Sequence, residues 1–252
     1  MIIEAPNRSQ LPLLRGLWKE AFGDADAFLD AFEETAFDPN RCRCVSVDGR
    51  PVAALYWFDC TCEGRRMAYL YAIATAKAAR GQGLCHRLME DTHRHLRSVG
   101  YEAAILVPGD EGLFAFYGKM GYRVCGYIRS LCCEASAEST EIWPIEGEEY
   151  ATLRRRLLPR GGVAQEGENL AFLMRQAKLY RGKDFVLAAR REGNALVGLE
   201  LLGNTDAAPA IVRALGCAEG RFRTFGAETP FAMALPLREG APLPSYFGLA
   251  FD

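Results

Sequence analysis

The hexapeptide Arg80-Gly81-Gln82-Gly83-Leu84-Cys85 separates an apolar strand pattern that ends near Ala74 from a helical pattern that begins near Gln82. The first N–H groups of a helix lack intrahelical partners and carry the positive end of its dipole, and glycine lets the backbone come close to a phosphate. A Gly-x-Gly at this junction therefore reads as an anion cradle. It does not complete a dinucleotide fingerprint, because His86 stands three residues after Gly83 and the preceding strands look antiparallel. Nor is there a Walker loop: Gly112 and Gly118-Lys119 enclose five residues where four are needed, and Met120 replaces Ser or Thr.

Downstream, Leu84, Cys85, Leu88, Met89, Thr92, Leu96 and Val99 share one helical face that Gly100 closes. Residues 102–107 read as a strand ending at Pro108-Gly109. Asp110 caps a helix carrying Leu113, Phe114, Phe116, Tyr117 and Met120, and residues 122–128 form a further strand. Upstream, Ile2 and Ile3 suggest a short strand, and Asn7 or Ser9 caps a helix with Leu11, Leu14, Trp18 and Phe22 inward, ending at Gly23. A second helix turns Phe28, Leu29 and Phe32 inward. Residues 41–47 and 51–60 flank Asp48-Gly49, a two-residue hairpin signal, and 66–74 adds a third antiparallel strand. Ungapped pairing sets Cys42 opposite Leu55 and leaves Cys60 about 16 Å further along. Cys42, Cys44, Cys60 and Cys62 thus read as small buried side chains rather than one zinc site.

The loop at 80–85 matches Arg/Gln-x-x-Gly-x-Gly/Ala in all but its last place, where Cys85 stands. Further on, Asp110-x-x-Leu113-x-x-x-Tyr117-x-Lys119-x-Gly121-Tyr122 is similar to Asn-x-x-Ala-x-x-x-Tyr-x-Lys-x-Gly-Phe. Two motifs in this order resemble the GCN5-related N-acetyltransferases (GNAT), across roughly residues 1–130. The resemblance implies an α/β (α+β) fold with a mixed, mostly antiparallel sheet flanked by helices. It implies that acetyl-CoA is the co-substrate and that no metal takes part. The backbone of Ala72, Ile73 and Ala74 would pair with the pantetheine arm, and Arg80, Gly81, Gln82, Gly83, Leu84 and Cys85 would hold the pyrophosphate. Asp110 would border the cofactor where the family often has an amide. Tyr117 matches the tyrosine that faces the CoA sulfur and would be the catalytic acid for the departing thiolate. The implied chemistry is direct attack of a primary amine on the thioester.

The polar, small-residue stretch 134–140 suits a linker between an acetyl-CoA-binding domain at 1–133 and a smaller, degenerate GNAT-like domain at 141–252. Helical patterns at 148–158 and 168–180 open the second half. Strands at 184–190 and 195–202 flank Glu192-Gly193, echoing the Asp48-Gly49 hairpin and hinting at an internal repeat. Gly203-Asn204-Thr205-Asp206, which follows, has no Arg-x-x-Gly-x-Gly equivalent.

A formal net charge of -2 provides no basic field, so nucleic acid is not an expected partner. The longest apolar stretch, 67–74, falls far short of the roughly 20 residues that cross a bilayer, and no signal-peptide pattern opens the chain. A cytoplasmic protein with free thiols, acting away from membranes, is expected. Asp24, Asp26, Asp30, Glu33, Glu34 and Asp38 lie in a segment without bases. By resemblance it borders the acceptor site and suits a cationic acceptor; the plainer alternative is a solvated helix face. Glu33, Glu34 and a terminal carboxylate at Asp252 are candidate bases, and His86, His93 and His95 read as surface or packing residues. A homodimer stays open. Two other readings remain: a non-catalytic acyl-CoA-binding regulatory or scaffold module, and acyl transfer through a Cys85 thiol of lowered pKa.

Overall fold

The computed structural model describes residues 1–251; Asp252 lies outside the described residues. Its strands are β1 (Ile2–Glu4), β2 (Cys42–Val47), β3 (Arg50–Cys62), β4 (Arg65–Thr75), β5 (Ala103–Leu106), β6 (Arg123–Glu134), β7 (Trp143–Pro144), β8 (Val163–Gln165), β9 (Lys178–Arg181), β10 (Phe185–Glu192), β11 (Ala195–Gly203), β12 (Glu219–Phe225) and β13 (Thr229–Pro236). The helices are α1 (Leu11–Phe22), α2 (Asp26–Thr35), α3 (Leu84–Ser98), α4 (Glu111–Gly118), α5 (Gly147–Leu157), α6 (Glu168–Gln176) and α7 (Ala208–Ala214).

Asp48 (φ 50°) and Gly49 (φ 77°) are both left-handed, the backbone a two-residue hairpin needs to match strand twist. The register expected for this hairpin is corrected: a bulge between Val45 and Ser46 moves Cys42 opposite Tyr56 rather than Leu55. All nine cysteines are free, with Cys42, Cys44, Cys60 and Cys62 buried in one core layer. The helix expected over 168–180 is also corrected. It stops at Gln176, because Ala177 is extended (φ -144°, ψ 158°) and Lys178–Arg181 pairs as a strand between β10 and β7.

One mixed sheet of 13 strands runs in the order β1-β2-β3-β4-β5-β13-β6-β12-β11-β10-β9-β7, with β8 off this path against β3. Among the named strand pairs of the described residues only β4–β5 and β11–β12 are parallel, and each pair is joined through a helix, α3 and α7 respectively. The order also shows an exchange between the halves of the chain. The last strand, β13, inserts between β5 and β6, while β6 crosses over to pair with β12. Each half thus lends a strand to the other about the β13–β6 pair.

This topology realigns the internal echo. The strands β10 and β11 precede a parallel neighbour as β3 and β4 do, so the Glu192-Gly193 hairpin corresponds to the Glu63-Gly64 turn and not to Asp48-Gly49. Hairpins with an x-Gly turn look alike in sequence; the parallel partner that tells them apart is a long-range feature.

Aromatic and aliphatic residues of α1, α2 and α6 cover one face of the first half's sheet, and α3 and α4 cover the other. Leu88, Met89 and Leu96 of α3 are fully or almost fully buried. The segment 246–251 returns over the first face, where Tyr246, Phe247, Leu249, Ala250 and Phe251 are all buried. It is anchored by Tyr246, whose hydroxyl donates to Glu200 Oε1 at 2.9 Å. Arg154, 2% exposed, binds the same carboxylate through Nε (2.5 Å) and Nη2 (2.9 Å), and Glu200 itself is 0% exposed. Tyr150 donates to Oε2 at 3.3 Å, and Arg154 Nη1 to the Val163 carbonyl at 3.0 Å, so the buried pair is well supplied with partners.

Candidate active site

β4 and β5 pair at Met67↔Ala103, Ala68↔Ala104 and Tyr69↔Ile105; β4 then continues to Thr75 while β5 ends at Leu106. The strands splay beyond Tyr69 and leave main-chain groups of β4 without a ladder partner on that side. On the β3 side, pairing jumps from Tyr56↔Tyr71 to Ala54↔Ala74, which places a bulge at Ala72 and Ile73. Ala72 has φ +48°, a left-handed backbone that costs a non-glycine residue about 1–2 kcal/mol. Bulges and strained backbone of this kind recur beside active sites, where they break the ladder locally.

The opening is a cleft of about 580 Å³. Its lining includes Leu70 to Ile73, Leu106 to Gly109, Leu113 and Tyr117. Of the residues expected to pair with a pantetheine arm, Ala72 and Ile73 line this cleft, whereas Ala74 pairs with Ala54 of β3. Tyr117, 6% exposed, is directed here by α4, and burial first, then Cys85 and Asp110, pushes its phenol well above the usual tyrosine range. The hydroxyl therefore keeps its proton at neutral pH. Asp110 caps α4, its Oδ1 accepting from the Leu113 N–H at 2.9 Å. That bond is a local structural role for the acid.

At the N-terminus of α3, Gly81 (φ 76°) and Gly83 (φ 71°) are left-handed, and a Cβ added at either would meet no protein atom within 4 Å. The loop is exposed, no side chain caps α3, and its first turn holds no acid. Helix-start N–H groups with no side-chain cap and no nearby acid fit a pyrophosphate. Arg80 turns its Nε to the Thr75 carbonyl at 3.2 Å and so braces the loop against the end of β4. Cys85 fits packing rather than chemistry: burial pushes its thiol up to about 11, correcting the lowered pKa that acyl transfer through sulfur requires.

The acidic segment is largely paired. Arg15 holds Asp26 (2.8 Å), Asp30 (2.8 Å) and Glu33 (3.0 Å), Lys19 holds Asp26 (3.0 Å), and Arg175 holds Glu34 (2.7 Å). Glu33 and Glu34 are not among the cleft-lining residues. Asp24 is: it is the one charged side chain lining the cleft among the described residues, and its Oδ2 accepts from Trp18 Nε1 at 2.8 Å. Trp18, Phe22, Phe28, Tyr69, Tyr71, Phe231 and Phe251 complete that wall. Asp24 was visible in the sequence only as one acid among six; its place after the Gly23 stop of α1 is the signal that sets it apart. Of the histidines, His93 is buried against Tyr122 at 2.8 Å, and His86 pairs with Glu90 on the surface.

The parallel pair of the second half differs: β11 and β12 pair from Ala195↔Glu219 to Gly198↔Phe222 and, after an irregularity, again at Leu201↔Thr224, and a Cβ on Gly198 would lie 2.3 Å from the Phe222 ring. Where the glycine loop would be, Asn204 caps Asp206 and Pro209 opens α7 without an N–H.

Residues 3–125 match the family model described as Acetyltransferase (GNAT) domain, so the first half of the chain carries a GNAT acetyltransferase domain. Solved structures share the fold over nearly the whole chain. A GCN5-related N-acetyltransferase from Kribbella flavida has a TM-score of 0.71 at 17% identity, covering 92% of this chain and 70% of that one. One from Anabaena variabilis has 0.71 at 13%, covering 94% and 73%. A tandem GNAT protein from the clavulanic acid biosynthesis pathway has 0.58 at 10%, covering 95% and 100%. No curated protein matches the chain. Among the described residues, no helix is long and apolar enough to cross a membrane.

Proposed function

We propose that this protein transfers an acetyl group from acetyl-CoA to a primary amine. The observation that carries the reading is the splayed β4–β5 cleft with the buried Tyr117 in its lining, β4 being followed in the chain by the uncapped Gly81/Gly83 start of α3. The loop at 80–85 would hold the pyrophosphate, and the backbone at Ala72 and Ile73 the pantetheine arm. Acetyl-CoA supplies a thioester whose carbonyl carbon is the electrophile.

The acceptor first loses a proton to water, because an ammonium has no lone pair. Its nitrogen then bonds to the carbonyl carbon, the carbon–sulfur bond breaks, and Tyr117 gives its proton to the departing thiolate. The amide nitrogen sheds its extra proton, and Tyr117 is reprotonated from solvent. The net products are an N-acetyl amide, CoA thiol and one proton for each protonated amine consumed. Main-chain N–H groups at the Ala72 bulge would supply hydrogen bonds to the carbonyl oxygen as it gains charge.

The second half, on this reading, is a degenerate GNAT-like unit that completes the acceptor wall with Phe231, Ala250 and Phe251. The test is CoA release across a panel of amines, with Tyr117→Phe as the control variant. Turnover that Tyr117→Phe abolishes while acetyl-CoA binding persists supports the enzyme. Binding without turnover of any amine favours a non-catalytic acyl-CoA module.

A further inference from the structure

We infer that the acceptor is a monoamine with a compact aromatic or apolar body, held by a single carboxylate, Asp24, rather than a polycation. This inference rests on the acyltransferase reading and names the substrate class of the same cleft.

A polyamine or an amino sugar carries several positive charges, and each charge taken out of water needs its own partner. Asp26, Asp30, Glu33 and Glu34 are engaged by Arg15, Lys19 and Arg175 and leave the cleft to Asp24. Among the described residues Asp24 is the one carboxylate lining the cleft, and one carboxylate balances one ammonium. The rest of the wall is aromatic, which favours an apolar body and attracts a cation over a ring face.

Trp18 sets the depth available to that body. Its ring is 3% exposed and packs among Phe22, Phe28, Phe32, Tyr56 and Tyr71 with centroids 4.8–6.5 Å apart. The indole N–H bond to Asp24 fixes the tryptophan and the carboxylate together. Behind it lies a second, mostly apolar cavity of about 430 Å³, bordered by Leu14, Leu29, Phe32, Phe37 and Tyr56. Trp18 is the one residue that lines both spaces, and so it partitions them. A long acceptor would have to displace it; a compact one would not.

The experiment compares phenethylamine with spermidine as acceptors for the full chain under saturating acetyl-CoA, in wild type and Asp24→Asn. Asparagine keeps an oxygen for the Trp18 N–H and removes only the charge. The expected kcat/KM for phenethylamine exceeds that for spermidine by about tenfold or more. Asp24→Asn should lower it about 10- to 100-fold, mainly through KM, with the Kd for acetyl-CoA unchanged. Spermidine turned over as well as phenethylamine, or a phenethylamine KM indifferent to Asp24→Asn, overturns the inference. Direct titration of both amines into the protein with desulfo-CoA reads the same preference without turnover. A phenethylamine preference in binding with no product formed would sustain the acceptor class while removing the acyltransferase reading.

Discussion

The hydroxyl of Tyr71 donates to the backbone carbonyl of Phe251 at 2.6 Å, tying the splayed end of β4 to a segment 180 residues further along the chain. Phe251 also packs its ring on Phe58 and Phe172 with centroids 4.9 and 5.2 Å apart. The last strand and the returning segment therefore belong physically to the first half's cleft. Tyr71→Phe should destabilise the protein by about 1–2 kcal/mol, since it removes a hydrogen bond in a half-buried site. Urea unfolding with an unchanged m-value is the check.

The anchor of the same segment is the buried Arg154–Glu200 pair. Removing the charge of one partner leaves the other buried and uncompensated, at a cost of about 3–5 kcal/mol. Glu200→Gln should therefore lower the midpoint of thermal unfolding strongly and loosen the 246–251 segment, which amide exchange at Phe247 and Phe251 would register. A change no larger than that of Tyr71→Phe would contradict the role assigned to the pair.

His93 gives the fold a pH dependence with a definite sign. Burial, aided by Arg97 and His86, pushes its imidazole down to about 4 from an ordinary 6.5. Between these values the unfolded chain binds a proton that the folded chain does not, so stability falls as pH drops from about 6.5 to about 4 and levels off below. The loss from this one group is at most about 3 kcal/mol. Thermal midpoints of wild type and His93→Gln across that window should show a shallower slope in the variant.

Much of the first half was legible because its signals are local. The glycine loop, the Asp110 cap, the Gly23 stop and the Asp48-Gly49 turn each depend on a few neighbouring residues. What escaped is long-range. Nothing near residue 229 says that β13 will lie between β5 and β6, and nothing in 41–47 reveals the bulge that shifts Cys42. Likewise the segment 22–38 shows six acids, but only the packing of Arg15 across α1 and α2 shows which are neutralised and leaves Asp24 in the cleft.

Tyr117 is the site's proton donor in this account. Its phenol is held above the usual range by burial, so its deprotonation should add no falling limb to the rate up to pH 10. Tyr117→Phe should lower kcat by about 100-fold or more and leave the Kd for acetyl-CoA within about twofold. Stopped turnover and calorimetry on one preparation separate the two effects.

The most direct measurement is calorimetric titration of the purified chain with acetyl-CoA, wild type beside Gly83→Glu. Gly83 sits at φ 71° with open space before it, so glutamate adds backbone strain, bulk and negative charge where the pyrophosphate would rest. The account predicts saturable wild-type binding that the variant abolishes while it stays folded by circular dichroism. Absence of binding to wild type at millimolar ligand, or equal binding by the folded variant, would contradict it.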